Sequence, residues 1–276
     1  MKLYITLDLE GVTSVTALEQ VKHGSPEFES TRRLLTDEIN AAIEGGLVAG
    51  VKEILVNEGH GKHRNVIPER LNKAARLLSG RNKLFHMMHG IDAGYEGMFM
   101  IGYHAGAGKA HGILGHTFHA YQCRVNDRVF SEIGLCMGLA GYYGVPALLV
   151  TGDQEACRDA LELVPNLETV AVKEAISANA AIHLHPEIAQ QKIRDAARRA
   201  VERKNEIQPL AIAEPLVMEL QLYGPLMADI HALIPGCERV DDRTVRHEAT
   251  NFEDLYKFFL LSSTLSMTTH GLGVLT

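Results

Sequence analysis

The stretch "KLYITLDLEGV" (2–12) decides the fold, because a run of apolar and β-branched residues ends on two acids, Asp8 and Glu10. Side chains alternate between the two faces of a β-strand, so both acids would share a face with Thr6. Carboxylates this close repel one another in a buried site unless a positive charge compensates them. The stretch therefore predicts a first strand that ends on an acidic pair in need of a cation.

Further along the chain, apolar strands alternate with helices. The spacing predicts a helix over 31–47, followed by an apolar strand at 51–57. Further apolar runs lie at 97–104, 145–153 and 166–173. Strand, helix and strand in succession, joined by right-handed crossovers, favour a parallel sheet. The predicted fold class is α/β, with a central, mostly parallel sheet flanked by helices.

The pattern changes towards the end of the chain. A hairpin is predicted at 122–132 around Asn126 and Asp127, and a charged amphipathic helix runs from His185 to about Asn205. Beyond it the sequence is typical of strand, helix, strand and helix. We predict an α/β domain over 1–205, which carries the acidic pair, and a smaller α+β domain over 206–276.

Composition excludes several classes of function. The 276 residues carry a net charge of −7 and no Lys/Arg-rich block, which argues against nucleic acid as a partner. Neither a signal peptide nor an apolar run of membrane-spanning length is evident, so we expect a cytoplasmic protein without a membrane partner. The four cysteines lack CxxC spacing and are expected to be reduced thiols in the core.

Metal-ligating side chains follow the predicted strands. Ligands collect at the carboxyl ends of parallel strands, where this sequence has acids and histidines. The five candidate metal ligands at or near these exits are Asp8, Glu10, His60, His104 and Glu132. Each is weak evidence alone, since acids and histidines after strands also cap turns or face solvent. Four exits that converge make a metal centre the better interpretation.

The number of ligands indicates two ions. A mononuclear catalytic zinc site keeps three protein ligands and an open position, whereas this set offers three carboxylates and two imidazoles. Two carboxylates two residues apart can straddle a metal pair about 3.5–4 Å apart. Two divalent ions and three carboxylates leave a formal charge of +1, which a hydroxide would neutralise. The mixed nitrogen and oxygen donors suit two Zn²⁺ per subunit, and Mn²⁺ or Co²⁺ would also fit.

The segment 104–123 holds four histidines. One of them is a candidate for proton transfer beside the metals, because imidazole titrates near neutral pH. A structural zinc site built from His116, His119 and Cys123 is an alternative, but the spacing offers no second thiol.

Five motifs resemble a known family in order and spacing: "LDLEG" (7–11), "VNEGH" (56–60), "GYHAGA" (102–107), "LGHTFH" (114–119) and "NDRVFSEIGL" (126–135). They are similar to the M55 peptidases, the D-aminopeptidase family, over nearly the whole chain. The resemblance implies a two-domain α/β subunit with two zinc ions on the five candidate ligands. It also implies that Asp8 bridges the ions, that His116 is catalytic, and that subunits assemble as a decamer of two stacked five-membered rings.

The activity so implied is a zinc-dependent aminopeptidase that hydrolyses the N-terminal peptide or amide bond of short, D-residue-containing peptides through an activated hydroxide. His116 would stabilise the oxyanion or carry the proton to the leaving amine. "NEGH" departs from the family's more usual Asn-Asp-x-His, and the loop between His104 and His116 is one residue longer, with Lys109 and His111. Both departures bear on substrate preference more than on metal binding.

Two other functions remain open from the sequence. In a haloacid-dehalogenase-like, Mg-dependent phosphatase, Asp8 would be the nucleophile and Asp153 would bind magnesium. The second acid of that motif is Glu10 here, and the phosphatase leaves the histidines unused. A non-catalytic carrier of metal or peptide would bind zinc without turnover.

Overall fold

Two β-sheets organise the chain in the computed structural model, which describes residues 1–270, with side chains through residue 268. The strands are, in chain order, β1 (Lys2–Leu7), β2 (Glu53–Asn57), β3 (Ala75–Leu78), β4 (Gly97–Tyr103), β5 (Gln122–Val125), β6 (Arg128–Val129), β7 (Ala147–Asp153), β8 (Glu168–Ser177), β9 (Ala180–His183), β10 (Leu216–Gln221), β11 (Cys237–Arg239) and β12 (Thr244–Ala249). The helices are α1 (Leu18–Val21), α2 (Phe28–Val48), α3 (Glu132–Tyr142), α4 (Gln154–Leu163), α5 (Pro186–Glu202), α6 (Pro225–His231) and α7 (Phe252–His270).

The first sheet has the order β3-β2-β1-β4-β7-β8-β9. Its strands are parallel, except that β9 pairs antiparallel with β8. Every residue of β4 and β7 is buried, which explains why these strands have nearly continuous apolar sequences. Helix α2 packs against α5, and α5 packs against β7 and β8. The predicted α/β class with a mostly parallel sheet is confirmed.

Strand β1 lies at the point where the order in which strands are added to the sheet reverses. From β1 the chain moves outward to β2 and β3, and it then returns to form β4 on the other side of β1. Crossovers that leave in opposite directions open a crevice at the carboxyl ends of such strands, where α/β proteins bind ligands. The segments that follow β1, β2 and β4 therefore meet in one crevice.

The second sheet is antiparallel, in the order β11-β12-β10-β5-β6. The predicted hairpin is confirmed as β5 and β6, and its turn residues Asn126 and Asp127 have φ of 48° and 64°, as a type I′ turn requires. The hairpin pairs with β10, so this sheet takes strands from both sides of the boundary predicted after residue 205. That boundary stays a prediction. The last residues of the predicted second domain, 271–276, lie outside the described residues.

Helix α7 lies between the two sheets. It packs against β10 and β12 of the second sheet and against α3, which packs against β4 and β7 of the first. All four cysteines are buried and free of disulfides. Over the described part of the chain, no helix is both long and apolar enough to cross a membrane.

Candidate metal centre

The two acids of the first motif lie in a turn and not on the strand. The prediction that they share a strand face is wrong, because β1 ends at Leu7. Beyond it the backbone N–H of Leu9 donates to Asp8 Oδ1 at 2.8 Å, and the N–H of Val12 donates to the carbonyl of Leu9 at 3.2 Å in a turn. The turn still brings both acids together: oxygen atoms of Asp8 and Glu10 and a ring nitrogen of His104 all lie within 4.8 Å of one another.

Two glycines allow this turn to lie against the end of β4. The N–H of Gly11 donates to the carbonyl of Gly102 at 2.8 Å. A Cβ on Gly11 would collide with the carbonyl of Tyr103, and one on Gly102 would collide with the carbonyl of Asp8. Gly102 also has φ of 74°, a conformation that side chains rarely adopt. The close approach that joins the first and third motifs thus depends on residues without side chains.

Histidines from β2 and β4 face the two acids. His60, which follows β2, places Nδ1 at 3.2 Å from Asp8 Oδ1 and 3.0 Å from Glu10 Oε2. His104, directly after β4, places Nε2 at 3.5 Å from Asp8 Oδ2 and 3.7 Å from Glu132 Oε1. The side chains of the five predicted metal ligands are therefore gathered at one edge of the sheet.

Glu132 and His116 complete the cluster. Glu132 is the first residue of α3, and its Oε1 accepts a hydrogen bond from the N–H of Phe118 at 2.8 Å. His116 Nε2 lies 3.7 Å from the same oxygen, and its ring stacks on that of His104 with centroids 4.1 Å apart. Atoms of His104, His116 and Glu132 form a second group within 4.8 Å, so the predicted catalytic histidine lies among the ligand candidates.

All three histidines are held in the same way. One ring nitrogen of each contacts a backbone carbonyl: His60 Nε2 that of Val21 at 2.9 Å, His104 Nδ1 that of Ala105 at 2.8 Å, and His116 Nδ1 that of Leu114 at 2.9 Å. A carbonyl only accepts, so that nitrogen carries the hydrogen. When the ring is neutral, its other nitrogen directs a lone pair towards carboxylates, an arrangement that fixes metal-binding histidines in their ligating tautomer.

Unpaired buried atoms support a cation in this cluster. Among the described residues, neither Glu10 Oε2 nor His104 Nε2 has a hydrogen-bond partner of good geometry, although both are buried. Buried polar atoms without partners are costly, and lone pairs that face one another repel. A metal ion with oxygen and nitrogen ligands removes both costs, and this donor set fits zinc.

The pKa values indicate the same demand for positive charge. Burial, followed by the charge of Glu10, raises the pKa of Asp8 to about 6. Burial disfavours the charged imidazole of His104, but the carboxylates of Glu132 and Asp8 outweigh it and raise its pKa to about 9. For His60, Glu10 and Asp8 likewise overcome burial and raise the pKa well above the ordinary value. The acids thus hold positive charge between them, as protons or as metal ions.

A buried lysine anchors the loop that carries Glu10. Lys173 on β8 donates through Nζ to the carbonyls of Glu10, Val12 and Val15, the last two at 2.9 and 2.8 Å. Glu38 on α2 accepts from the N–H of Thr13 in the same loop at 2.9 Å. The ammonium therefore fixes the backbone of a candidate ligand that is 163 residues away in the sequence.

Asp153 anchors the loop that carries His116. It caps α4 by accepting from the N–H of Ala156 at 2.8 Å, and its other oxygen accepts from the N–H of Ile113 at 3.0 Å. Asp153 lies beside Lys173 in the register of β7 and β8. Both of its oxygens are thus engaged with the backbone, which argues against the magnesium-binding role that the phosphatase interpretation requires.

A cavity of about 690 Å³ opens at the cluster. Its polar floor includes Asp8, His60, His116 and Glu132, and its apolar wall includes Leu84, Leu260, Leu261 and Met267. The side chain of His116 is 40% exposed, in contrast to its buried neighbours. The cluster is therefore open to a small molecule on the side of His116.

Comparison with known proteins agrees with this site. The family model described as Peptidase_M55, D-aminopeptidase, matches residues 1–261. A D-aminopeptidase of Bacillus subtilis (strain 168) is 34% identical over 272 residues, which cover 98% of this chain and 99% of that protein.

The chain belongs to the M55 peptidase family. Membership confirms the resemblance stated from the five motifs, and it makes the chain a hydrolase that acts on peptide bonds. Among solved structures, the Zn-dependent D-aminopeptidase DppA from Bacillus subtilis, described as a self-compartmentalizing protease, superposes with a TM-score of 0.93 at 34% identity. The match covers 97% of this chain and 98% of that one, so the M55 fold is retained throughout.

Sequence reasoning missed the anchors of this M55 site. Lys173 is a charged residue within the apolar strand "TVAVKEAI" (169–176). A charge at a buried strand position indicates a polar partner nearby, and this signal was available from the sequence. The alternative zinc site at His116, His119 and Cys123 finds no support. His119 Nδ1 bonds Ser263 Oγ at 3.1 Å, and no candidate ligand group within residues 1–268 includes Cys123.

Proposed function

We propose that this M55 peptidase is a zinc-dependent aminopeptidase with two zinc ions per chain, which removes the N-terminal residue of short peptides containing D-residues. The observation that carries the proposal is the meeting of three carboxylates with three imidazole lone pairs at one end of an open cavity. The family's description as D-aminopeptidase and the zinc dependence of DppA support the substrate and the metal.

The ligands we propose are Asp8, Glu10, His60, His104 and Glu132, with Asp8 as the bridge. Asp8 suits that role because its two oxygens face different histidines, Oδ1 towards His60 and Oδ2 towards His104. Zinc bound there would supply a Lewis acid that polarises the scissile carbonyl and lowers the pKa of water.

His116 is the residue we propose to move the proton. Its Nδ1 is held by the Leu114 carbonyl, so Nε2 is the atom free to accept a proton from the attacking water. Glu132 Oε1, 3.7 Å away, stabilises the imidazolium that results. The same Nε2 then returns the proton to the departing amine, which completes hydrolysis without another titrating group.

The proposal extends to assembly and location. We propose a homo-oligomer, a decamer of two five-membered rings, in the cytoplasm. The description of DppA as self-compartmentalizing supports assembly, and the four free buried cysteines suit a reducing compartment.

A panel of substrates tests the function. The zinc-loaded protein is expected to hydrolyse D-alanine p-nitroanilide faster than the L-enantiomer, and to leave p-nitrophenyl phosphate with Mg²⁺ untouched. The His116→Ala variant should retain zinc and lose turnover. Phosphatase activity alone would favour the dehalogenase-like mechanism. Zinc binding with no turnover of any peptide or amide would favour a carrier, and either result would overturn the proposal.

A further inference from the structure

The cavity has a cationic side that the proposed metal chemistry does not use. Among the charged residues that line it, the acids are Asp8 and Glu132 of the metal cluster, and the cations are Arg81, Lys83 and Lys257. Lys257 lies on α7 with its Nζ 6.0 Å from the ring of Phe85, so α7 and the loop that holds Arg81 and Lys83 face each other. One cavity thus joins an acidic cluster to a group of cations.

Two of the three cations already have partners. Lys83 Nζ donates to the side-chain oxygen of Asn57 at 2.5 Å and to the carbonyl of Glu58 at 2.6 Å. Lys257 pairs with Glu253 at 2.6 Å and with Asp254 at 3.5 Å. Both ammonium groups therefore serve mainly to hold the walls of the cavity.

Arg81 is different. It is exposed on the cavity wall, and within residues 1–268 it makes no ion pair and no side-chain hydrogen bond. A guanidinium presents five donors in a rigid fork that matches the two oxygens of a carboxylate. Its free fork and the positive field of Lys83 favour an anion at this wall.

A short peptide has the matching charge distribution. Its N-terminal ammonium is attracted to the carboxylates of the metal cluster, and its C-terminal carboxylate is attracted to the cations. The two termini of an extended dipeptide lie roughly 7 Å apart. One cavity of about 690 Å³ is lined both by Asp8 of the metal cluster and by Arg81. The apolar wall formed by Leu84, Leu260, Leu261 and Met267 offers a surface for an apolar second side chain.

We propose that Arg81 binds the free C-terminal carboxylate of the substrate and so selects dipeptides with a charged C-terminus over their neutral amides. The proposal rests on the aminopeptidase function above and deepens it, because it assigns a specificity-determining residue and a substrate class. Arg81 contacts the substrate only and leaves the metal cluster unchanged.

The test compares D-alanyl-D-leucine with its C-terminal amide, two substrates that differ only in the carboxylate. We expect the wild type to favour the acid in kcat/KM, and the Arg81→Gln variant to lower the acid-to-amide ratio by about 10- to 100-fold, mainly through KM. Arg81→Lys should restore part of the ratio, because it keeps the charge without the fork. Arg33→Gln, which removes an exposed arginine of α2 outside the cavity, is the matched control and should keep the wild-type ratio.

Three outcomes would overturn the inference. They are a wild-type ratio near one, an unchanged ratio in Arg81→Gln, and an equal fall in Arg33→Gln, which would indicate a general effect of net charge. In each case the peptidase function stands, since both substrates are still cleaved. A wild type that cleaves neither substrate would instead overturn the proposed function and, with it, the selectivity that rests on it.

Discussion

Glu10 and Glu38 are both buried glutamates near Lys173, yet their surroundings affect them in opposite ways. Each leaves Oε2 without a hydrogen-bond partner within the described residues. Burial raises the pKa of Glu38 to about 7, more than the Thr13 N–H and the Lys173 charge lower it. Burial also opposes the charge of Glu10, but His60 and His104 outweigh it and hold the pKa of Glu10 well below its ordinary value.

The difference teaches how to separate a structural charge from a metal ligand. A buried carboxylate with little compensation takes up a proton, as Glu38 does near neutral pH. Glu10 stays charged because His60 and His104 place positive charge beside it, so the carboxylate shares a cation, either a proton or a metal ion, with its neighbours. A buried carboxylate by itself therefore does not indicate a metal site. Carboxylates and imidazoles that converge beside a cavity do.

Removing Asp8 should break the metal cluster completely. Asp8→Ala takes away the carboxylate that faces both His60 and His104, so we expect loss of both metals and a fall in kcat/KM of about 10³-fold or more. Elemental analysis and steady-state kinetics measure the two effects. Asp37→Ala, on the outer side of α2 and paired with Arg70, is the control. An Asp8→Ala protein that retains zinc and most activity would refute the assignment.

His116→Ala should separate metal binding from proton transfer. Because the five proposed ligands remain, we expect zinc content near that of the wild type and a fall in kcat of about 10²-fold or more. Stopped assays under saturating substrate give kcat directly. A kcat within threefold of the wild type would contradict the role assigned to His116, and loss of zinc would make it a ligand instead.

Lys173→Met should weaken the metal cluster by loosening the loop that carries Glu10. The variant frees the carbonyls of Glu10, Val12 and Val15, and it leaves Glu38 and Asp153 without their buried counter-charge. We expect about 3–5 kcal/mol less stability and zinc affinity about 10–100-fold weaker. Urea unfolding and competition with a chelator measure them separately. Unchanged zinc affinity in a folded variant would show that the loop needs no such anchor.

Glu38→Gln should change the pH dependence of stability. The folded-state pKa of about 7 exceeds the ordinary value of 4.5, so folding favours the proton and the wild type loses stability as pH rises from about 4.5 to about 7. That loss amounts to about 3 kcal/mol, and Gln, which does not titrate, should abolish it. Urea unfolding at pH 5 and pH 8 with excess zinc checks this. Equal pH slopes in both proteins would contradict the contrast with Glu10.

Much of this architecture could be predicted from local sequence. The apolar strands that alternate with helices predict a parallel sheet, and the acids and histidines at strand ends predict the metal-binding edge. The order of the strands in the sheet was not predicted. The hairpin at Asn126 and Asp127 is likewise a local signal. Its pairing with β10 could not be predicted, because it joins residues about ninety positions apart through register alone.

The site's finer features depend on long-range contacts. The turn after β1 lies against Gly102 of β4, a contact that no pattern around Asp8 reveals. The ring orientation of His60 depends on the carbonyl of Val21, and the anchoring of the Glu10 loop depends on Lys173, more than 150 residues away. The sequence pattern predicts which residues are ligands, whereas tertiary contacts determine how their side chains are oriented.

A zinc titration tests the central claim most directly. Chelator-stripped protein would be titrated with Zn²⁺ while hydrolysis of D-alanine p-nitroanilide is followed. We predict that the stripped protein is inactive and that the rate rises to a plateau at two zinc ions per chain. Full activity in the stripped protein, or no hydrolysis at saturating zinc, would contradict the account.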